Sequence, residues 1–118
     1  WGFVAADHGH DLPVARQHLQ SAAAREPGSG ALLDSLGWVS FRAGELDRAA
    51  LFLEQAVRLD PHDPEILTHL GDLYVKRADP ARAVLSYRKA LEHKPDDRLR
   101  RRLEESLSRL ESRHEAGR

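Results

Sequence analysis

Apolar side chains in the middle of this chain recur at helical spacing and predict a helix between Ser29 and about Ala43. Leu33, Leu36 and Gly37 fall on one face of that helix, because residues three or four positions apart share a side. Ser29 can accept a hydrogen bond from the unpaired backbone N–H groups at the helix start. The pattern therefore indicates a helix with one buried face and one polar face.

A second apolar stripe predicts another helix, from about Leu46 to Leu59. Its inner face consists of small and medium apolar residues, namely Ala49, Leu53, Ala56 and Val57. Gly44 suits the end of the preceding helix, where a positive φ costs glycine little. The pair Asp60-Pro61 ends the second helix, since the residue before a proline avoids helical backbone angles. Two helices joined by so short a turn form an antiparallel hairpin.

The hairpin pattern recurs with a period of 34 residues, which indicates a tandem helical repeat. The recurring sets are Pro27, Pro61 and Pro95; Ala15, Ala49 and Ala83; Ala22, Ala56 and Ala90; and the predicted N-caps Ser29, Asp63 and Asp97. The pair Leu36-Gly37 also recurs, as Leu70-Gly71. Small residues at the glycine and alanine positions would let two helix backbones approach closely.

These residues resemble the tetratricopeptide repeat. The resemblance is carried by Leu36, Gly37, Gly44, Ala49, Leu53, Ala56 and Pro61, and again by Leu70, Gly71, Tyr74, Ala83, Tyr87, Ala90 and Pro95. It implies an all-α fold, in which antiparallel helical hairpins stack as a short right-handed superhelix with a C-terminal capping helix. Two positions depart from the family pattern: Ser40 replaces an aromatic residue, and Ala78 replaces the turn glycine.

The resemblance implies three repeat units within residues 1–96, followed by a terminal helix. The expected ranges are about 1–28 for a truncated first unit, 29–62, 63–96, 97–113 for the capping helix, and 114–118 for a frayed tail. A stripe of Leu99, Leu103, Leu107 and Leu110 marks the buried side of that capping helix. Because the chain begins at Trp1 and contains no methionine, we expect it to be part of a longer polypeptide.

The resemblance also implies a concave groove lined by the first helix of each hairpin. By helical spacing, the groove residues are Asp34, Ser35, Trp38, Arg42, Glu65, Thr68, His69, Asp72 and Lys76, with Leu99 and Arg102 behind them. Trp38 is the candidate anchor for a partner side chain, because aromatic residues often dominate binding energy. The alternative for Trp38 is packing against neighbouring hairpins, and the alternative for the charged residues is an ordinary solvated face.

Some members of this family clamp a C-terminal carboxylate with lysines and asparagines, and this chain does not match that pattern. Asp34 and Glu65 stand at the lysine positions, whereas Trp38 and Asp72 stand at asparagine positions. The acidic residues instead favour a basic or mixed-charge segment, helical or extended.

Other chemistries find little support in the sequence. His8, His10 and Asp11 could present metal ligands, but a polar turn explains them equally well, and no metal or cofactor is expected. The arginines at 98 and 100–102 lack interleaved aromatic residues and precede Glu104 and Glu105, which favours a solvated helix face over nucleic-acid binding. The chain contains no nucleophile motif, glycine-rich phosphate loop or evident carboxylate pair.

Composition agrees with a binding module. The formal net charge is −1, so no global field attracts nucleic acid or an anionic membrane. No apolar run approaches the roughly 20 residues that span a bilayer. We therefore expect a non-enzymatic protein–protein interaction module that binds a peptide or protein segment in its groove. The alternatives are self-association through the truncated first hairpin, and the non-catalytic arm of a larger enzyme or secretion protein. A cytoplasmic and a bacterial envelope location both remain open.

Overall fold

The computed structural model describes residues 12–116, and the side chains of residues 13–113. These residues form six α-helices and no strand, which confirms the predicted all-α fold. The helices are α1 Leu12–Arg25, α2 Gly30–Arg42, α3 Leu46–Leu59, α4 Pro64–Lys76, α5 Pro80–Glu92 and α6 Asp97–Ala116. They group into two compact units, one containing α1–α3 and the other containing α4–α6.

In the first unit, α2 and α3 form the predicted hairpin. The Ser29 hydroxyl oxygen accepts a hydrogen bond from the backbone N–H of Leu32 at 3.2 Å, so Ser29 is the N-cap of α2. Gly44 has a φ of 80° in the turn, a left-handed conformation that glycine adopts without steric cost. Ala49 and Leu53 of α3 are fully buried, as their place in the apolar stripe predicts.

In the second unit, α4 and α5 form an equivalent hairpin. The Asp63 carboxylate caps α4 by accepting from the backbone N–H groups of Glu65 at 2.8 Å and Ile66 at 3.3 Å. Asp79 caps α5 by accepting from the backbone N–H of Arg82 at 3.2 Å. Each cap precedes a proline in the first helical turn, where the missing N–H of proline would have no partner.

Two glycines set the close approach of the helices within each hairpin. A Cβ atom added at Gly37 would lie 2.6 Å from Cγ of Leu53. One added at Gly71 would lie 2.5 Å from Cε1 of Tyr87. The large side chain of the second helix therefore fills the space that a side chain on the first helix would need, as the repeated glycines predict.

The N-cap and the end of α6 differ from the sequence-based expectation, whereas its first residue, Asp97, agrees with it. Asp96, not Asp97, caps this helix, because its carboxylate accepts from the backbone N–H of Leu99 at 2.8 Å. The turn is one residue shorter than the preceding one, since Asp96 directly follows Pro95 whereas His62 separates Pro61 from the Asp63 cap. The helix also continues to Ala116, beyond the expected end at residue 113, because no helix-breaking residue occurs before Gly117.

The α4–α5 turn contains a strained residue where the family has glycine. Ala78 adopts a φ of 61°, in the left-handed region. This conformation costs a residue with a Cβ about 1–2 kcal/mol. Lys94, after α5, is the other non-glycine residue with a positive φ among those described, at 54°.

The glycine contact gives a test of the hairpin packing. We expect Gly71→Ala to lower the free energy of unfolding by about 1–3 kcal/mol, because the new methyl group overlaps the Tyr87 ring and forces it to move. Gly28→Ala is the matched control, since an added Cβ there meets nothing within 4 Å. Urea denaturation followed by circular dichroism measures both, and equal stability of the two variants would contradict this packing.

Candidate protein-binding site

In the first unit, the predicted groove residues lie on α2. Asp34, Ser35 and Trp38 are half-buried, and Arg42 is exposed. The Trp38 ring stacks on Phe41, with ring centroids 4.9 Å apart and planes inclined by 14°. The indole is therefore held in place by its own helix while part of its surface remains accessible, a combination that suits an anchor for a partner side chain.

The Ser35 hydroxyl is engaged within the helix. It donates a hydrogen bond to the backbone carbonyl of Ala31 at 3.0 Å, one turn earlier. Its proton is thus used inside α2, and only its oxygen lone pairs remain for a partner. The Ser35 hydroxyl is therefore available only as an acceptor.

In the second unit, the predicted groove residues of α4 lie at both ends of the helix and in its middle. Glu65 in the first turn and Lys76 in the last turn are exposed, whereas His69 is half-buried. The prediction for Thr68 is wrong, because its side chain is only 1% exposed. Its hydroxyl donates to the backbone carbonyl of Pro64 at 2.6 Å, which satisfies the polar group inside the core.

Asp72 lies at the centre of a hydrogen-bonded network that joins α4, α5 and α6. The Tyr87 hydroxyl donates to Oδ1 of Asp72 at 2.6 Å. The Arg102 guanidinium donates to Oδ2 at 2.6 Å. The Asp72 side chain is 11% exposed and that of Arg102 is 47% exposed. Both carboxylate oxygens of Asp72 therefore have partners within the unit. Leu99, another residue predicted to lie behind the groove, is half-buried on α6.

The network also affects the acidity of the phenol. Burial, and secondly the hydrogen bond to Asp72, raise the pKa of Tyr87 well above its usual value of about 10. The phenol stays protonated and remains a donor throughout the physiological range. Asp72 and Arg102, both predicted to face a partner, pair with each other, and Asp72 also accepts a hydrogen bond from Tyr87. Sequence periodicity could not find this pairing, because the three residues lie 15 and 30 positions apart.

The structure also bears on metal binding, on the arginine cluster of α6 and on membrane spans. Within residues 12–116 there is no group of three or more histidine or acidic side chains arranged to hold a metal ion. The His8, His10 and Asp11 candidate lies outside the described residues. Arg100 pairs with Asp97 at 2.8 Å, and the other arginines of the cluster at 98, 101 and 102 are exposed. No described helix is long and apolar enough to cross a membrane.

Family models place the chain among known proteins. Two models described as tetratricopeptide repeat match residues 40–107 and residues 4–64. A TPR repeat-containing protein of Pseudomonas aeruginosa is 37% identical over 71 residues. That match covers 60% of this chain and 12% of the relative, so the chain spans a small part of its length.

Solved structures agree with these matches. A thermophilic TPR protein of Thermus thermophilus has a TM-score of 0.74 and 35% identity, covering 81% of this chain and 50% of that one. The Yersinia enterocolitica type III secretion chaperone SycD, solved in complex with a peptide of the translocator YopD, has a TM-score of 0.82 and 16% identity. It covers 95% of this chain and 88% of that one, and at this identity the likeness shows the fold alone. Because the model over residues 40–107 spans more than half of the sequence, this chain belongs to the tetratricopeptide repeat family.

Proposed function

We propose that this chain is a non-enzymatic protein–protein interaction module that binds a peptide or protein segment. The observation that carries the proposal is how residue types divide along α2 and α4. Leu36-Gly37 and Leu70-Gly71 are identical and buried, whereas the next residue is Trp38 in one helix and Asp72 in the other. The leucine and glycine of each first helix are kept between the repeats while the residue after them changes, as expected where the scaffold is shared and the binding surface is not.

Position by position, the outer faces of the two helices differ in chemistry. Ser35 corresponds to His69, and Trp38 corresponds to Asp72, each at the 34-residue step. The glycine and alanine positions that build the hairpin are the same in each unit, and Asp72 adds a hydrogen bond to Tyr87 within its own hairpin. We propose that the other outer residues, Trp38 and His69 foremost, contact the partner. The SycD complex with a peptide of YopD supports a peptide partner for a chain of this fold.

The charges left available favour a mixed-charge segment. Asp72 has both carboxylate oxygens engaged, so it adds little acidic character to the binding face. Apart from Arg102, which pairs with Asp72, the exposed ionic groups of the predicted set are Glu65 and Lys76 on α4, and Arg42 on α2. We therefore propose that basic groups of the partner pair with Glu65 and that acidic groups pair with Lys76 and Arg42. Trp38 contacts an apolar side chain of the partner.

We also propose two alternatives to a peptide-binding role. Self-association through the truncated first hairpin depends on residues 1–11, which lie outside the described residues. A role as the non-catalytic arm of a larger enzyme or secretion protein is compatible with a relative of which the chain covers only 12%. Neither alternative changes the expected behaviour of the α2 and α4 faces.

The role of Trp38 can be tested with selected peptides. We expect a display library to yield peptides that bind the full chain, and Trp38→Ala to weaken their binding by about tenfold or more, since buried aromatic anchors commonly contribute that much. Leu51→Ala is the control, because it removes a 55% exposed apolar side chain from α3, outside the predicted face. Fluorescence polarisation measures both affinities. Unchanged binding by a folded Trp38→Ala variant would overturn the proposal.

The structural role of Asp72 gives a separate test. We expect Asp72→Ala to lower the free energy of unfolding by about 1–3 kcal/mol, because it leaves the buried Tyr87 hydroxyl without its acceptor. Arg102→Ala should cost only about 0–1 kcal/mol, since that guanidinium is half-exposed and screened by solvent. Urea denaturation distinguishes the two variants. A larger loss for Arg102→Ala would show that the ion pair, rather than the buried phenol, dominates the network.

A further inference from the structure

A cleft of about 370 Å³ lies in the second unit, between the α4–α5 turn and the C-terminal part of α6. Its lining residues are Val75, Ala78, Pro80, Leu110 and Arg113. Four of these five side chains are apolar, and Val75 at the end of α4 is 38% exposed. The volume lies at the small end of the range of roughly 300–1,000 Å³ typical of binding pockets. The cleft can therefore take one or two apolar side chains rather than a large ligand.

The cleft carries a cation, Arg113, which is exposed. Among the described side chains, those of residues 13–113, Arg113 makes no ion pair or side-chain hydrogen bond. Acidic groups nearby in the chain are engaged elsewhere. Glu111 lies 3.6 Å from the guanidinium of Arg88, and the carboxylate of Asp79 lies 3.5 Å from that of Arg82. Among the side chains of residues 13–113, the charge available at this apolar cleft is therefore positive.

The strained residue of the α4–α5 turn lines the same cleft. Ala78 holds a left-handed backbone conformation, with a φ of 61°, where glycine would be unstrained. Ala78 lines the cleft and carries a methyl group that glycine lacks. Strain of this kind persists where the surrounding structure or a function requires it. The alanine thus adds binding surface at a cost in stability.

We propose that this cleft is a docking site for a short peptide segment in which an apolar side chain is followed by a carboxylate. The apolar side chain lies between Val75, Pro80 and Leu110, and the carboxylate pairs with Arg113. This site goes beyond the α2 and α4 faces, because it uses none of their predicted residues. Its success or failure is therefore independent of the Trp38 experiment.

Two blocked hexapeptides test the proposal on the full chain. One contains two leucines followed by a glutamate, and the other has glutamine in place of that glutamate. We expect the first peptide to shift the backbone amide resonances of Val75, Ala78 and Leu110 in a saturable way. The glutamine peptide should bind roughly twofold to fivefold more weakly, as expected for a solvent-accessible ion pair. No shift at these amides with about 5 mM peptide, where millimolar affinities are still detected, would overturn the proposal.

Arg113→Gln should remove the preference for glutamate, so that both peptides bind equally. Arg101→Gln is the matched control, because it removes an exposed charge from the same helix, outside the lining of the cleft, and should leave the preference intact. A preference that survives in Arg113→Gln would contradict the assignment of Arg113 as the carboxylate partner.

Ala78→Gly separates binding from folding. We expect it to raise the midpoint of urea denaturation, because glycine relieves the strain at a positive φ. At the same time it should weaken binding of the glutamate peptide by about threefold, through loss of the buried methyl group. Lys94→Gly is the control: it relieves a φ of 54° outside the lining of the cleft, and should stabilise the chain without changing the affinity. Unchanged binding by Ala78→Gly would contradict the proposed role of the methyl group.

A second copy of this chain is the competing occupant of the cleft. If the same three amides shift with protein concentration in the absence of peptide, the cleft is a contact between copies and the proposal is wrong. Concentration-independent spectra, together with the peptide-dependent shifts, support it.

Discussion

The structure depends on the close approach of two helix backbones within each hairpin. At Gly37 and Gly71 the first helix has no side chain, and the vacant space is filled by Leu53 in one hairpin and by Tyr87 in the other. An added Cβ would fall within 2.5–2.6 Å of those side chains, well inside van der Waals contact. This packing fixes how the helices of each hairpin meet, and hence which residues of the first helix remain on its outer side.

Because the inner positions are fixed, the outer positions of the first helices are free to differ between repeats. The same position of the repeat is Trp38 in α2 and Asp72 in α4, so the outer faces of these two helices differ in chemistry. In the second unit, however, the outer residue Asp72 forms hydrogen bonds that stabilise the fold. Asp72 accepts hydrogen bonds from Tyr87 and Arg102, which ties the terminal helix to the hairpin before it. A surface residue of the repeat can therefore serve stability rather than recognition, and position alone does not assign its role.

Much of the fold could be predicted from local signals. The bounds of the helix from Leu46 to Leu59, and the caps at Ser29 and Asp63, follow from residues only a few positions apart in the sequence. The cap of the last helix was misplaced by one residue, because strict periodicity concealed the shorter turn before Asp96. The network around Asp72 was missed because its partners come from separate helices, where three-dimensional packing decides the pairing. Helical spacing alone places Thr68 in the groove, but the residue is buried, because its hydroxyl is satisfied by the Pro64 carbonyl of its own helix and can enter the core.

The central claim is that the outer faces of the first helices bind a peptide or protein segment while the hairpins act as a fixed scaffold. Amide chemical-shift mapping of the full chain, titrated with a peptide selected from a display library, tests it most directly. We expect shifts concentrated around Trp38 on α2 and around Glu65, His69 and Lys76 on α4, with the amides of the buried Leu53 and Ala83 unchanged. Shifts concentrated instead on the exposed residues of α3 and α5, such as Leu51 and Leu85, would contradict it.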